Sequence, residues 1–144
     1  MGTLYLVRHG QASFGSADYD RLSELGQRQC TRLGQWFAEH GIAFDAVLTG
    51  TLRRHAQSLA AIEVGLGGTR HQALALPGLN EYDSEAVIRA VHDGDLPAPT
   101  TAELTRAHFR LLRTGLARWM AGTAQPQGLP PHAEFTAGVV AALD

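Results

Sequence analysis

The sequence predicts an α/β domain with a mostly parallel sheet, and three observations support this fold class. Short apolar segments alternate with longer segments of helical periodicity, in the order strand, helix, strand, helix, strand. The chain has 144 residues, enough for one domain and too few for two ordinary ones. A chain of this length buries about two-thirds of its unfolded surface, so it needs neither a disulfide nor a metal for stability.

The composition excludes several classes of function. Lys and Arg number 12 and Asp and Glu number 14, giving a net charge of −2 and no basic surface for nucleic acid or an anionic membrane. The single cysteine, Cys30, excludes a disulfide framework, and we expect it in the core. Residues 1–7 do not resemble a signal peptide. Because no segment reaches the roughly 18 apolar residues needed to span a bilayer, a cytoplasmic location is predicted.

The first elements are predicted from apolar runs and helix signals. Residues 3–7 are a continuous apolar run, typical of a strand buried on both faces. Ser23 is a candidate N-cap for a helix that ends at Gly41. Residues 44–48 are predicted as a second buried strand, followed by residues 49–51, which could cap the next helix.

The remaining elements follow from the same signals. A helix through Arg54 is broken by the glycines at 65–68. After this helix, the sequence predicts a weaker strand at 73–76 and helices at 84–92, 103–120 and 134–143.

Polar residues from three segments are expected at one edge of this sheet. Arg8-His9-Gly10 ends the first strand, residues 49–51 follow the second, and Glu81 comes soon after the third. Ligands of parallel sheets bind beyond the carboxyl ends of the strands. The sequence therefore predicts a binding site at this edge.

The residue types at this edge indicate phosphoryl chemistry. A guanidinium beside His9 favours its neutral, nucleophilic form, and neutral imidazole can attack phosphorus. Arg8 and Arg54 can bind phosphoryl oxygens in a bidentate manner, and Glu81 can protonate a leaving alcohol. Taken singly, each has a structural alternative: Arg-His-Gly can be an ordinary strand end, and Glu81 a surface carboxylate. Arg53 is expected on a solvated helix face.

The chain resembles the histidine phosphatase superfamily, the phosphoglycerate mutase-like group. The resemblance rests on residues 4–10, 22–26, 47–58 and 79–81, in that order. It implies a three-layer α/β/α fold, a transient phosphohistidine at His9, phosphate binding by Arg8 and Arg54, and proton transfer by Glu81. It implies no metal or organic cofactor. Residues 82–131 would form a cap segment within a single domain spanning residues 1–144.

The sequence departs from the family pattern in two places. The family has a second pocket histidine on a late strand, and the sequence stops at Asp144, before that strand. We therefore expect a domain that is incomplete at its C-terminus. The chain is then a truncated product, or a partial view of a longer protein, or a domain in which another segment or subunit fills the gap. In the loop after His9, Ala12 and Gly15 stand where mutase-like members offer hydroxyl and amide groups, leaving Gln11 and Ser13 as candidate phosphate ligands. The other histidines are expected mostly at the surface: His40, His55, His71, His92, His108 and His132.

Three functions remain open from the sequence. A phosphatase acting on a small phosphorylated metabolite makes the fewest demands on the loop after His9. A phosphoglycerate mutase is the second enzymatic reading, and a catalytically impaired homologue that still binds phosphate is the third. The expected partner is a phosphorylated metabolite or inorganic phosphate, and the oligomeric state is open, a homodimer being one state that the sequence allows.

Overall fold

The computed structural model divides the chain into two compact units, Met1–Pro77 and Gly78–Asp144. The structure describes residues 2–13, 18–68, 72–95 and 99–144.

Two helices dominate the first unit, and both start and stop near the predicted residues. Helix α1 spans Glu24–Glu39, and the hydroxyl of Ser23 caps it by accepting a hydrogen bond from the backbone N–H of Gly26. Helix α2 spans Arg53–Leu66 and ends at Gly67, whose φ of 86° is the left-handed conformation typical of a glycine at this position. The predicted N-cap of α1 is therefore confirmed, and α2 extends through the first two residues of the predicted break at 65–68.

The two helices pack closely because glycines let their backbones approach. A Cβ atom on Gly34 of α1 would collide with the carbonyl oxygen of Ile62, and one on Gly65 of α2 with the carbonyl oxygen of Thr31. The core beside this contact includes Cys30, as predicted. Its buried side chains are Leu22, Cys30, Phe37 and Ile62.

A small parallel sheet completes the first unit. Strand β1 spans Leu48–Thr49 and strand β2 spans Leu74–Ala75, and Leu48 lies opposite Leu74. The parallel pairing and the position of the later strand are confirmed. The predicted strand at 44–48 is wrong for most of its length, because Phe44 turns into the core beside α1 instead of joining the sheet.

The predicted strand at residues 3–7 is also wrong in this structure, where these residues belong to no strand. Leu4 and Leu6 are 70% and 82% exposed, while the ring of Tyr5 lies edge-on to Phe37 and Phe44 at centroid distances of 5.6 and 5.7 Å. Apolar composition gives a segment a tendency to be buried, but a strand also needs a neighbour that supplies the backbone hydrogen bonds. Among the described residues, the ring contacts of Tyr5 with Phe37 and Phe44 hold this segment instead.

The second unit is helical. A short 3₁₀ helix, Pro77–Leu79, crosses the boundary between the units, and α3 spans Ser84–Arg89, α4 Ala102–Met120 and α5 His132–Ala141. These bounds agree with the predicted helices to within three residues. Trp119 is buried against Tyr82 and Phe135, and its indole N–H donates to the carbonyl of Pro130. Phe109 of α4 is exposed.

No helix among the described residues combines the length and the apolarity needed to cross a membrane.

The close contact of α1 and α2 gives a prediction about stability. Replacing Gly34 by Ala should lower the free energy of unfolding by about 1–3 kcal/mol, because the added methyl group forces the helix backbones apart. Gly138→Ala is the matched control: Gly138 lies inside α5 and has open space where its Cβ would be, so the substitution should stabilise by about 0.5–1 kcal/mol. Denaturant unfolding measures both. Equal effects of the two substitutions would contradict the proposed packing.

Candidate active site

A backbone contact fixes one ring nitrogen of His9. Its side chain is half-buried, and Nδ1 lies 2.7 Å from the carbonyl oxygen of Gly10. Because a carbonyl oxygen can only accept, Nδ1 carries the hydrogen in this contact, and Nε2 of a neutral ring is left with the lone pair. This tautomer is the one needed for nucleophilic attack through Nε2.

Gly10 connects His9 to helix α2. Its backbone N–H donates to Oγ of Ser58 at 3.0 Å, and the Ser58 hydroxyl donates to the carbonyl of Arg54 at 2.7 Å. Gly10 is buried, and a Cβ atom there would collide with the carbonyl oxygen of Gly26. The φ of Gly10 is not positive, so glycine is required here by the close approach of α1 rather than by backbone conformation.

Arg54 is a buried cation in the first unit. It is 6% exposed, and its Nη1 donates to Oδ1 of Asp20 at 2.7 Å. The guanidinium carbon lies 5.4 Å from the centroid of the Tyr19 ring, a cation–π distance. Its neighbour Arg53 is exposed, as predicted, and pairs with Asp18. The first turn of α2 therefore points one arginine inward and one outward.

The N-terminus of α2 is capped from a distant part of the chain. Leu52 occupies the N-cap position and has no capping side chain. The carboxylate of Asp20 accepts the backbone N–H groups of Arg53 at 3.0 Å and Arg54 at 3.3 Å instead. The expectation that residues 49–51 cap this helix is therefore replaced by a cap 33 residues upstream.

These contacts lower the pKa of Asp20. Burial alone would raise the pKa, but hydrogen bonds from the N–H groups of Arg53 and Arg54 and from the Arg54 guanidinium outweigh it and hold the pKa below its ordinary value of 3.8. The ionised carboxylate thus stabilises the fold above the unfolded-state pKa. This stabilisation is lost as the pH falls through the lower folded-state pKa.

A second imidazole lies beside His9. The ring of His55, in the first turn of α2, is half-buried, and its centroid is 5.8 Å from that of His9 with the planes tilted by 34°. The sequence grouped His55 with histidines expected mostly at the surface. The α2 helix instead brings His55 and Arg54 to the same end of the first unit as His9.

The two candidate ligands after His9 lie in a segment that pairs with residues 21–23. The backbone N–H of Ser13 donates to the carbonyl of Arg21, and Ala12 forms an antiparallel bridge with Leu22. Gln11 is exposed, and its Oε1 accepts a hydrogen bond from the Ser23 hydroxyl. Ser13 is half-buried.

Two other predicted site residues, Arg8 and Glu81, are exposed. Arg8 is exposed directly before His9. Glu81 belongs to the second unit, where it is exposed between the 3₁₀ helix and α3. Gly15 and His71 lie outside the described residues. The structure thus brings His9 and the first turn of α2 together within the first unit.

Three residues of the site were missed by sequence reasoning: Tyr19, Asp20 and Ser58. Each acts across a large sequence separation, as in the hydrogen bond between Gly10 and Ser58, 48 residues apart. One signal was available for Asp20. Leu52 cannot cap a helix, so the start of α2 required an acceptor from elsewhere.

The arrangement suits the transfer of an anionic group. An imidazole whose Nε2 carries the lone pair can form a covalent intermediate, and a buried guanidinium can stabilise the oxyanion that reacts with it. Among the described residues, no three His, Cys, Asp or Glu side chains cluster as a metal site would require.

Comparisons with known proteins identify a family. The family model described as the histidine phosphatase superfamily (branch 1) matches residues 4–88, more than half of the chain. Comparison with curated proteins found no match, and comparison with solved structures found none. The matched region includes His9, Arg54 and Glu81. The chain belongs to the histidine phosphatase superfamily.

Proposed function

We propose that the protein is a phosphatase that hydrolyses a small phosphorylated substrate through a phosphohistidine at His9. One observation carries the proposal: hydrogen bonds run from the backbone N–H of Gly10 through Ser58 to the carbonyl of Arg54. Two hydrogen bonds thus link the backbone next to His9 to the backbone of Arg54, whose guanidinium is buried. Membership of the superfamily supports phosphoryl transfer as the class of reaction.

The proposed reaction has two displacements at phosphorus. Nε2 of His9 attacks, the bond from phosphorus to the ester oxygen breaks, and Glu81 gives a proton to the departing alcohol. Water then attacks the phosphohistidine, Glu81 takes its proton, and inorganic phosphate leaves as the P–N bond breaks. Arg8, Arg54, Gln11 and Ser13 are the proposed ligands of the phosphoryl oxygens.

The loop after His9 favours hydrolysis over mutase activity. Ala12 is 7% exposed and lies in the bridge to Leu22, so its position supplies a methyl group and no side-chain donor. A mutase must hold a phosphorylated enzyme until it returns the group to its substrate, which requires more ligands than a hydrolase needs. The three-layer arrangement and the role of residues 82–131 as a cap segment belong to the same proposal.

Trapping the intermediate tests the proposal. Purified protein is mixed with an aryl phosphate, quenched at alkaline pH, where phosphohistidine survives, and analysed by intact mass and ³¹P NMR. The expected result is a phosphorylated protein together with release of inorganic phosphate. Isomerisation of phosphoglycerate without net phosphate release would establish a mutase instead. Binding of inorganic phosphate with no turnover would establish a binding protein.

A further inference from the structure

Two neighbouring ion pairs at the start of α2 differ in their burial. Arg53 to Asp18 and Arg54 to Asp20 both have N–O distances of 2.7 Å. The side chains of the first pair are 54% and 52% exposed, whereas that of Arg54 is 7% exposed. Exposed pairs contribute little because water competes with them. The Asp20 pair acts on a guanidinium that water barely reaches.

Asp20 holds both the side chain and the backbone of Arg54. Its Oδ1 accepts from Nη1 of Arg54 and from the Arg54 backbone N–H, while Oδ2 accepts from the backbone N–H of Arg53. The Tyr19 ring contacts the same guanidinium. Two consecutive residues therefore contact the guanidinium of Arg54: Tyr19 lies against its face, and Asp20 binds its Nη1.

Asp20 is itself fixed relative to His9. Leu22 is 2% exposed, and its backbone N–H donates to Oε1 of Gln57 on α2. The bridge between Ala12 and Leu22 and the hydrogen bond from Ser13 to Arg21 join this part of the chain to the segment that follows His9. Asp20 thus directly precedes residues 21–22, which are hydrogen-bonded both to α2 and to the segment after His9.

We propose that Asp20 is a positioning residue that holds the Arg54 guanidinium ready for the phosphoryl group. This proposal rests on the proposed function. An arginine side chain has several rotatable bonds, and ordering it when a ligand binds costs free energy. The carboxylate of Asp20 orders it beforehand through a single terminal nitrogen, Nη1.

A charge argument alone predicts the opposite effect on phosphate binding. Asp20 is an anion near the proposed site of another anion, so its removal would strengthen phosphate binding if repulsion dominated. If positioning dominates, its removal weakens binding. The two accounts differ in sign, and one substitution distinguishes them.

The test compares Asp20→Asn with Asp18→Asn, the matched substitution at the exposed pair. Asparagine keeps a side-chain oxygen for the helix cap but removes the charge that holds the guanidinium. We expect D20N to weaken binding of inorganic phosphate about tenfold and to raise KM for an aryl phosphate similarly. D18N should leave both values within about twofold. Phosphate binding by D20N equal to or tighter than that of the unsubstituted protein would overturn the proposal.

A second measurement reports on the arginine directly. Nε of Arg54 is shielded from solvent, so its N–H should give a resolved ¹⁵N-correlated NMR signal, assigned by its absence in Arg54→Lys. In D20N this signal should broaden or exchange faster with water, and in D18N it should not. An unchanged signal in D20N would contradict the positioning role. Asp20→Ser, which retains a capping hydroxyl, replaces D20N if the asparagine variant does not fold.

The two proposals fail in different ways. If the unsubstituted protein neither binds phosphate nor hydrolyses an aryl phosphate, the proposed function fails. If it does both and D20N behaves identically, only the role of Asp20 fails.

Discussion

Replacing His9 by Asn is expected to lower kcat/KM for an aryl phosphate at least about 1,000-fold, because it removes the group proposed to form the covalent intermediate. The asparagine amide N–H can still donate to the carbonyl of Gly10, as Nδ1 of His9 does. The local hydrogen bond is therefore kept while the Nε2 lone pair is lost. Steady-state kinetics measures the loss, and the phosphorylated protein should disappear from intact-mass spectra.

His40→Asn is the matched control for this prediction. His40 is exposed on the first unit, and its Nδ1 lies 2.8 Å from the carbonyl oxygen of Trp36, so it makes the same type of hydrogen bond without a role in the site. We expect its kcat/KM to stay within about twofold of the unsubstituted value. Full activity in H9N would remove the phosphohistidine mechanism, whereas equal losses in both variants would indicate a structural effect.

The helices of the first unit could be predicted because their signals are local. Ser23 is a good N-cap residue next to the helix that it caps, and the glycines after Leu66 supply the stop. The same local information could not establish the first two predicted strands. Residues 3–7 and 44–48 have strand-like composition, but pairing depends on partners elsewhere in the chain.

The residues of the candidate site also fall into two groups, those that the sequence could predict and those that it could not. His9 and Arg54 could be proposed from the residue types that phosphoryl chemistry needs. Asp20 could not, because its function lies in hydrogen bonds to residues 33 and 34 positions away. His55 resembles any surface histidine in the sequence, and only the direction of α2 brings its ring beside His9.

Replacing Arg54 by Lys is expected to lower kcat/KM about 100-fold, or about 2.7 kcal/mol, the size of one hydrogen bond to a charged group at roughly 1.5–3 kcal/mol. An ammonium keeps the charge but cannot make the planar, bidentate contacts of a guanidinium, and it cannot lie over Tyr19 in the same way. Arg53→Lys is the matched control, one residue earlier and exposed, and should change kcat/KM by less than about twofold. Similar losses in the two variants would refute the assignment of Arg54 as a phosphoryl ligand.

Combining Arg54→Lys with D20N tests whether Asp20 acts through Arg54. Two independent residues would give losses that multiply, so the double variant would fall about tenfold below R54K alone. A residue whose effect is transmitted by the Arg54 guanidinium has nothing left to position once that group is gone. We therefore expect the double variant to retain about the same kcat/KM as R54K, measured in the same assay, and multiplicative losses would separate Asp20 from Arg54.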